Sequence, residues 1–216
     1  MTKNMYESYT QKEILEVVSV LPVDDNFPKN ICMLVHFFKK HLGYGSNSDR
    51  ILAKFDRALQ KNRGIVKKLG SGAFALVYEA RDGFAYKISL TDMSDDAWLV
   101  YAKAAKRTKN PLFPVILNLF TFEGEYCCKM EKLEKIKKRK TSGNFFDKLS
   151  KHFYDGEVKQ AFEHLNTFST IEYNDYKKWS KKIDYILDTQ YMSELDLHSG
   201  NFMFRGNQLV ITDPVA

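Results

Sequence analysis

The sequence has little of what marks a secreted or membrane protein. Its 216 residues include three cysteines, Cys32, Cys127 and Cys128. Three cysteines build no disulfide framework, and the neighbours Cys127 and Cys128 point to opposite faces of any strand that carries them. The expectation is a reducing, cytoplasmic compartment. No apolar run approaches the roughly 18–20 residues that span a bilayer, so no membrane partner is expected. The N-terminus lacks the pattern of a signal peptide. Neither a solenoid repeat nor a long low-complexity tract is present. What the chain does have is 44% hydrophobic residues, enough for one domain or a small two-lobed one. Its net charge of +6 suits anionic partners such as nucleotides, nucleic acid or acidic proteins. A solvated lysine-rich surface accounts for that charge equally well, so no direct nucleic-acid role is assigned.

Hydrophobic spacing divides the chain into three parts. The first, 1–62, reads as helices. Ile14, Leu15, Val18 and Leu21 form one apolar face, and Ile31, Met33, Leu34, Phe37 and Phe38 form a second. Gly43 and Gly45 then break the chain before a third helix, capped at Ser48, with Leu52, Phe55 and Leu59. From residue 64 the pattern alternates and is rich in β-formers. Strands are expected at 65–69, 74–80 and 84–90, then a short helix capped near Ser94 or Asp95, then a hairpin turning at Glu123-Gly124. The second part, 63–133, is thus a small antiparallel sheet with one helix inserted after its third strand. The third part, 134–216, is mostly helical, its clearest face being Tyr176, Trp179, Ile183, Ile186 and Leu187. The stretch KLEKIKKRK (132–140) is read as a solvated basic connector, with a docking surface for a substrate or an acidic partner as the sharper alternative.

Three stretches bear on chemistry. In LGSGAFALVYEA, Gly70 and Gly72 lie between two strands, where the lack of side chains lets backbone N–H groups approach phosphates. A plain glycine hairpin has the same look. No Gly-Lys-Ser/Thr follows, so this is not a Walker loop, and the strand that follows argues against a dinucleotide-binding fingerprint. In FAYKISL, Lys87 interrupts an apolar strand. An inward lysine is costly unless it meets an anion, whereas an outward one on an edge strand costs nothing. Near the C-terminus, Asp196 and Asn201 are five apart and Asp213 is twelve further on. Each would serve as a turn former. A hairpin through Arg205-Gly206-Asn207 would gather all three, giving the oxygen ligands for Mg²⁺ and the carboxylate that phosphoryl transfer needs.

In that order, Gly70-x-Gly72-x-Phe74-x-x-Val77, Lys87, Asp196-x-x-x-x-Asn201 and Asp213 resemble the motifs of the protein-kinase fold. More narrowly, DLHSGNFMF and ITDPV resemble the early serine/threonine protein kinases of T7-like bacteriophages. The resemblance implies an α+β, protein-kinase-like two-lobed fold. It would have a helical N-terminal extension, an antiparallel-sheet N-lobe and a minimal, truncated helical C-lobe. It implies ATP and Mg²⁺ as cofactors and host proteins of transcription, RNA processing or translation as substrates, in the host bacterial cytosol. Residues 70–74 (Gly70, Ser71, Gly72, Ala73 and Phe74) would cover the ATP phosphates and Val77 would follow them. Lys87 would contact the α- and β-phosphates, and Glu131 and Leu133 would sit at the adenine-binding hinge. Asp196 would orient the substrate hydroxyl, Asn201 and Asp213 would hold Mg²⁺, and His198 stands where many protein kinases carry a lysine near the γ-phosphate.

The sequence also departs from the kinase pattern. Ala75 replaces the third glycine, Glu194-Leu195 the usual His-Arg, and Asp213-Pro214-Val215 the usual Asp-Phe-Gly. The helix after Lys87 has no glutamate at the usual place, which leaves Asp95 or Asp96 as candidate partners. An activation segment and Ala-Pro-Glu are missing. Two other readings stay open. The Asp-x-His-x-x-Asn form also resembles small-molecule phosphotransferases of the aminoglycoside or choline kinase type. The lost glutamate and altered Asp-Pro-Val would suit a pseudokinase that binds a host or defence protein.

Overall fold

The computed structural model describes residues 5–41, 48–71, 75–89, 96–135, 144–167, 169–190 and 194–215. Gly43, Gly45, Gly72, Ala73, Phe74, Ser94 and Asp95 lie outside the described residues, as do the side chains of Ser48, Leu52 and Asp96. The protein is a mixed α+β structure with antiparallel sheets. It divides into two compact units. One comprises Met1–Ser94 with Ile116–Lys132, and the other Asp95–Val115 with Leu133–Ala216. The N-terminal helices therefore share a unit with the large sheet, while the helix inserted after the third strand belongs to the other unit.

In the first unit three helices cover one face of a sheet. Helix α1 (Gln11–Val20) starts at Thr10, whose hydroxyl accepts from the Glu13 amide while the Glu13 carboxylate accepts from the Thr10 amide at 2.7 Å. It stops before Pro22. Helix α2 (Phe27–Lys40) carries Pro28 in its first turn, where a missing N–H costs nothing, and Lys39 and Lys40 in its last. Helix α3 is Ser48–Lys61. The sheet joins β1 (Ile65–Ser71), β2 (Ala75–Ala80), β3 (Ala85–Ser89), β4 (Ile116–Phe122) and β5 (Glu125–Met130). Its strand order is β1-β2-β3-β5-β4, every pair antiparallel. The β4–β5 turn has two positive φ angles in succession, 49° at Glu123 and 84° at Gly124, which gives the tight hairpin the glycine there predicts.

The period-two alternation fixes what each sheet face carries. Leu76, Tyr78, Tyr86, Ile88 and Cys127 lie on the face that packs against Ile14, Val18, Phe27, Ile31, Leu34, Phe38, Phe55 and Leu59 of the helices. Polar groups lock this layer in register. Buried Asn62 donates to the carbonyls of Val18 (2.7 Å) and Leu21 (2.8 Å) and accepts from the Gly64 amide (2.8 Å), joining the ends of α1 and α3 to the start of β1. Asp56 on α3 accepts from Lys68 (2.8 Å), Gln60 (2.7 Å) and the Tyr78 hydroxyl.

One expectation needs correction here. Strand β1 runs on to Ser71, so Gly70 lies within the strand, opposite Val77, after a register irregularity at Lys68/Gly70. The irregularity lets the ladder continue past the point where the glycines suggested a turn. In the basic connector Lys132, Glu134 and Lys135 are exposed, and 136–140 lie outside the described residues. Lys132 bonds Glu79 at 2.8 Å, and β6 (Glu134–Lys135) pairs with Phe204 and Met203.

The second unit packs α5 (Asn144–Tyr154), α6 (Val158–Asn166) and α7 (Tyr173–Thr189) around buried Tyr176, Trp179, Ile183 and Ile186. Helix α4 (Asp96–Arg107) packs on α7. A three-stranded sheet, β6 with β7 (Phe202–Arg205) and β8 (Gln208–Ile211), completes the unit. No helix among the described residues is long and apolar enough to cross a membrane.

Asp56 gives a test of the first unit. Burial alone would raise its pKa, but the bonds from Lys68, Tyr78 and Gln60 outweigh that and lower it. A depressed folded pKa stabilises the fold fully above the ordinary value of 3.8, and the contribution is lost as pH falls below that value through the folded one. Asp56→Asn is expected to cost about 2 kcal/mol at neutral pH. It should also flatten the acid limb of the stability curve, measured by urea unfolding from about pH 6 to about pH 3.

Candidate active site

The polar cluster at the end of the chain is built on a hairpin. Gly206, at φ 59°, turns β7 into β8, and Phe202 pairs with Ile211. Beyond that pair the ladder becomes a set of bonds to Asn201. The Thr212 amide (2.7 Å) and hydroxyl (3.1 Å) both donate to the Asn201 carbonyl. Two residues on, the Asp196 amide donates to the Pro214 carbonyl at 2.8 Å, and Leu195 bridges Val215. Asp213 is therefore clamped on both sides, through Thr212 to Asn201 and through Pro214 to Asp196.

The Asn201 side chain, 7% exposed, completes the link. Its Nδ2 donates to the Asp196 carbonyl at 2.8 Å and to Asp196 Oδ2 at 3.0 Å. Both partners are acceptors, which fixes the amide's orientation and leaves its oxygen without a partner among the described residues. That oxygen and the Asp213 carboxylate are hard ligands of the kind Mg²⁺ takes. Mg²⁺ is held by one or two carboxylates together with substrate phosphates and water rather than by an all-protein cage. Among the described residues no group of three or more His, Cys, Asp and Glu side chains is placed to hold a metal.

His198 precedes a single 3-10 turn, Ser199–Asn201. Its Nδ1 accepts from the Gly200 amide at 3.0 Å, so in the neutral ring the proton sits on Nε2, 3.4 Å from Asp196 Oδ2. A Cβ at position 200 would stand 2.7 Å from the His198 ring, so glycine leaves room for this fold-back. Asn201 and His198 thus approach the same oxygen of Asp196. The other, Oδ1, has no protein partner among the described residues.

Aromatic residues of α4, unremarked in the sequence, support the strand end that carries Asp213. Trp98 Nε1 donates to the Thr212 carbonyl at 3.3 Å, and the Tyr101 hydroxyl donates to that of Ile211. Both rings are buried. Burial, with a smaller contribution from the Asp213 charge, raises the Tyr101 pKa, so the phenol stays a donor. The signal was present in DDAWLVY: Trp and Tyr three apart on one helix face, each bulky and each with one polar tip. On the other edge the Ile211 amide donates to the Leu112 carbonyl at 2.9 Å, and Arg205 donates to those of Phe113 (3.0 Å) and Pro111 (3.4 Å).

The remaining candidates lie in the first unit or at its boundary. Lys87 is 7% exposed in β3, the middle strand of five, paired with Val77 on one side and Cys128 on the other. The edge-strand reading of this lysine is therefore excluded. Its side chain lies on the face opposite Tyr86 and Ile88. Among the described residues nothing lies within 4 Å of where a Cβ at Gly70 would stand, and its φ is not positive. Neither packing among the described residues nor backbone conformation thus requires glycine there. Ser71 closes β1, while Gly72, Ala73 and Phe74 lie outside the described residues. Glu131 and Leu133 flank Lys132 in the irregular segment where the chain leaves the first unit for the second.

No family model matches this chain, and no curated protein matches it.

The clamp makes a prediction of its own. Asn201→Ala removes both side-chain bonds to Asp196 but keeps the backbone bonds to Thr212. The Asp196 amide should then exchange with deuterium at least ~10-fold faster, while the β8 amides keep their protection. Unchanged exchange at Asp196 would mean that the loop is held by something other than the Asn201 amide.

Proposed function

We propose that this chain is an ATP-dependent, Mg²⁺-requiring phosphotransferase of the two-lobed protein-kinase type, acting on serine or threonine hydroxyls of proteins. The observation that carries the reading is the double clamp on Asp213, whose flanking residues Thr212 and Pro214 bond Asn201 and Asp196. Turn formers have no need of that convergence. The burial of Lys87 in the central strand and the glycine at 70 that the fold does not require point the same way.

In this reading Asp196 Oδ1 accepts the hydroxyl proton as the substrate oxygen forms its bond to the γ-phosphorus. The bond from that phosphorus to the β,γ-bridging oxygen breaks, and ADP leaves with the electron pair. Asn201 and His198, both on Oδ2, orient the carboxylate so that Oδ1 faces the hydroxyl. His198 then acts as a positioning residue rather than as a stand-in for the phosphate-binding lysine. Asn201 and Asp213 would hold Mg²⁺, which would neutralise charge on the phosphates. Lys87 contacts the α- and β-phosphates, and Gly70, Ser71, Gly72, Ala73 and Phe74 cover them. Val77, Glu131 and Leu133 contact the adenine. By resemblance to the early kinases of T7-like phages, the acceptors are host proteins of transcription, RNA processing or translation in the bacterial cytosol.

The test is transfer from γ-labelled ATP in Mg²⁺ to bacterial lysate proteins. Asp196→Asn keeps the shape of the loop and should lower transfer at least ~10³-fold, as should Lys87→Met. Gly70→Ala should leave the melting temperature unchanged but weaken ATP binding, because its methyl group enters space only a ligand would use. A loss of only a few-fold with Asp196→Asn would remove the role given to that residue. ATP consumption without labelled protein would favour a small-molecule acceptor, and ATP binding without turnover would favour a pseudokinase.

A further inference from the structure

Helix α7 carries charge that works against its own stability. Lys177, Lys178, Lys181 and Lys182 form two like-charged i,i+4 pairs, each of which destabilises an isolated helix. They fall in the N-terminal and middle turns, whereas Asp184 and Asp188 lie toward the C-terminus and no basic residue stands in the last turn. Asp188, in the last turn, meets the negative end of the helix dipole with no basic residue to offset it. Asp175 and Asp184 are three residues from Lys178 and Lys181, yet no ion pair within 4.0 Å joins any of these lysines to an acid among the described residues. Burial, and then the Asp188 charge, raise the pKa of Asp184, and no lysine offsets them.

The four lysines cover one side of the helix over about 7.5 Å of its axis. Lys177, Lys178 and Lys181 are exposed, and Trp179, Ile183 and Ile186 are buried on the opposite side. A residue pattern that costs local stability and packs nothing inside signals a surface kept for a partner.

We propose that this face of α7 docks an acid-rich segment of a protein. Four unneutralised cations within two turns match a run of three or four carboxylates. Single-stranded nucleic acid is the weaker fit, because it needs aromatic faces for its bases. Both exposed aromatics of α7 are engaged. Lys182 Nζ sits 4.6 Å above the Tyr185 ring centroid, and Tyr173 stacks edge-on with Phe162 at 5.0 Å. The phosphotransferase reading is needed only to name the docked protein a substrate, since the docking is measured without nucleotide.

The experiment uses the full chain and a fluorescein-labelled peptide with four glutamates on each side of one serine, read by anisotropy without ATP. The peptide should bind, and binding should weaken steeply between about 50 and about 300 mM salt. Changing Lys177, Lys178, Lys181 and Lys182 together to Gln should weaken it at least ~10-fold without lowering the melting temperature. Changing exposed Lys61, Lys103, Lys106 and Lys109 to Gln removes equal charge and should leave binding within about 2-fold. No peptide binding, equal loss in both variants, or tighter binding of a labelled oligouridylate would each overturn the proposal. Peptide binding with no phosphoryl transfer would retain the docking face and remove the phosphotransferase. Transfer that is indifferent to the α7 substitutions, with no peptide binding, would do the reverse.

Discussion

The candidate site depends on one residue, Asn201. Its side-chain amide donates two bonds to Asp196, and its backbone carbonyl accepts two more from Thr212. Asp196 in turn bonds the residue after Asp213. These bonds, with the Leu195–Val215 bridge, join the loop to the strand end. The Nδ2 bonds that satisfy this buried donor also set the site geometry, and they leave the side-chain oxygen for a ligand.

Support for this arrangement comes from residues with no chemical part in it. Trp98 and Tyr101 bond the last carbonyls before Asp213, while Arg205 and the Ile211 amide tie the hairpin to the Pro111–Phe113 segment. Helix α4 is thus a support for the strand that presents the carboxylate. The first unit follows a different logic. Its sheet is covered on one face by the helices of the N-terminal 62 residues, which supply most of the apolar core there. Those helices are part of the fold of the large sheet, while Asp56 and Asn62 provide its polar locks.

The sequence showed most clearly what is local. Glu123-Gly124 and Gly206 marked hairpins because positive φ favours particular residues, and the α7 face was legible from its 3.6-residue period. The gathering of Asp196, Asn201 and Asp213 could be anticipated because one short hairpin separates them. Long-range geometry was hidden. That β3 is the middle strand depends on β5 inserting beside it, and no local pattern encodes that order. That Gly70 belongs to β1 depends on an irregularity in the β1–β2 ladder. The tie from Trp98 and Tyr101 to β8 spans more than a hundred residues, and sequence spacing says nothing at that range.

The central claim is that Asn201 and Asp213 form a metal-assisted nucleotide site. Isothermal titration of ATP into the intact chain tests it most directly, run once with Mg²⁺ and once with EDTA. The account predicts binding that weakens at least ~10-fold without the metal, and a metal dependence that Asp213→Asn abolishes. ATP binding indifferent to both Mg²⁺ and Asp213, or no binding at all, would contradict it.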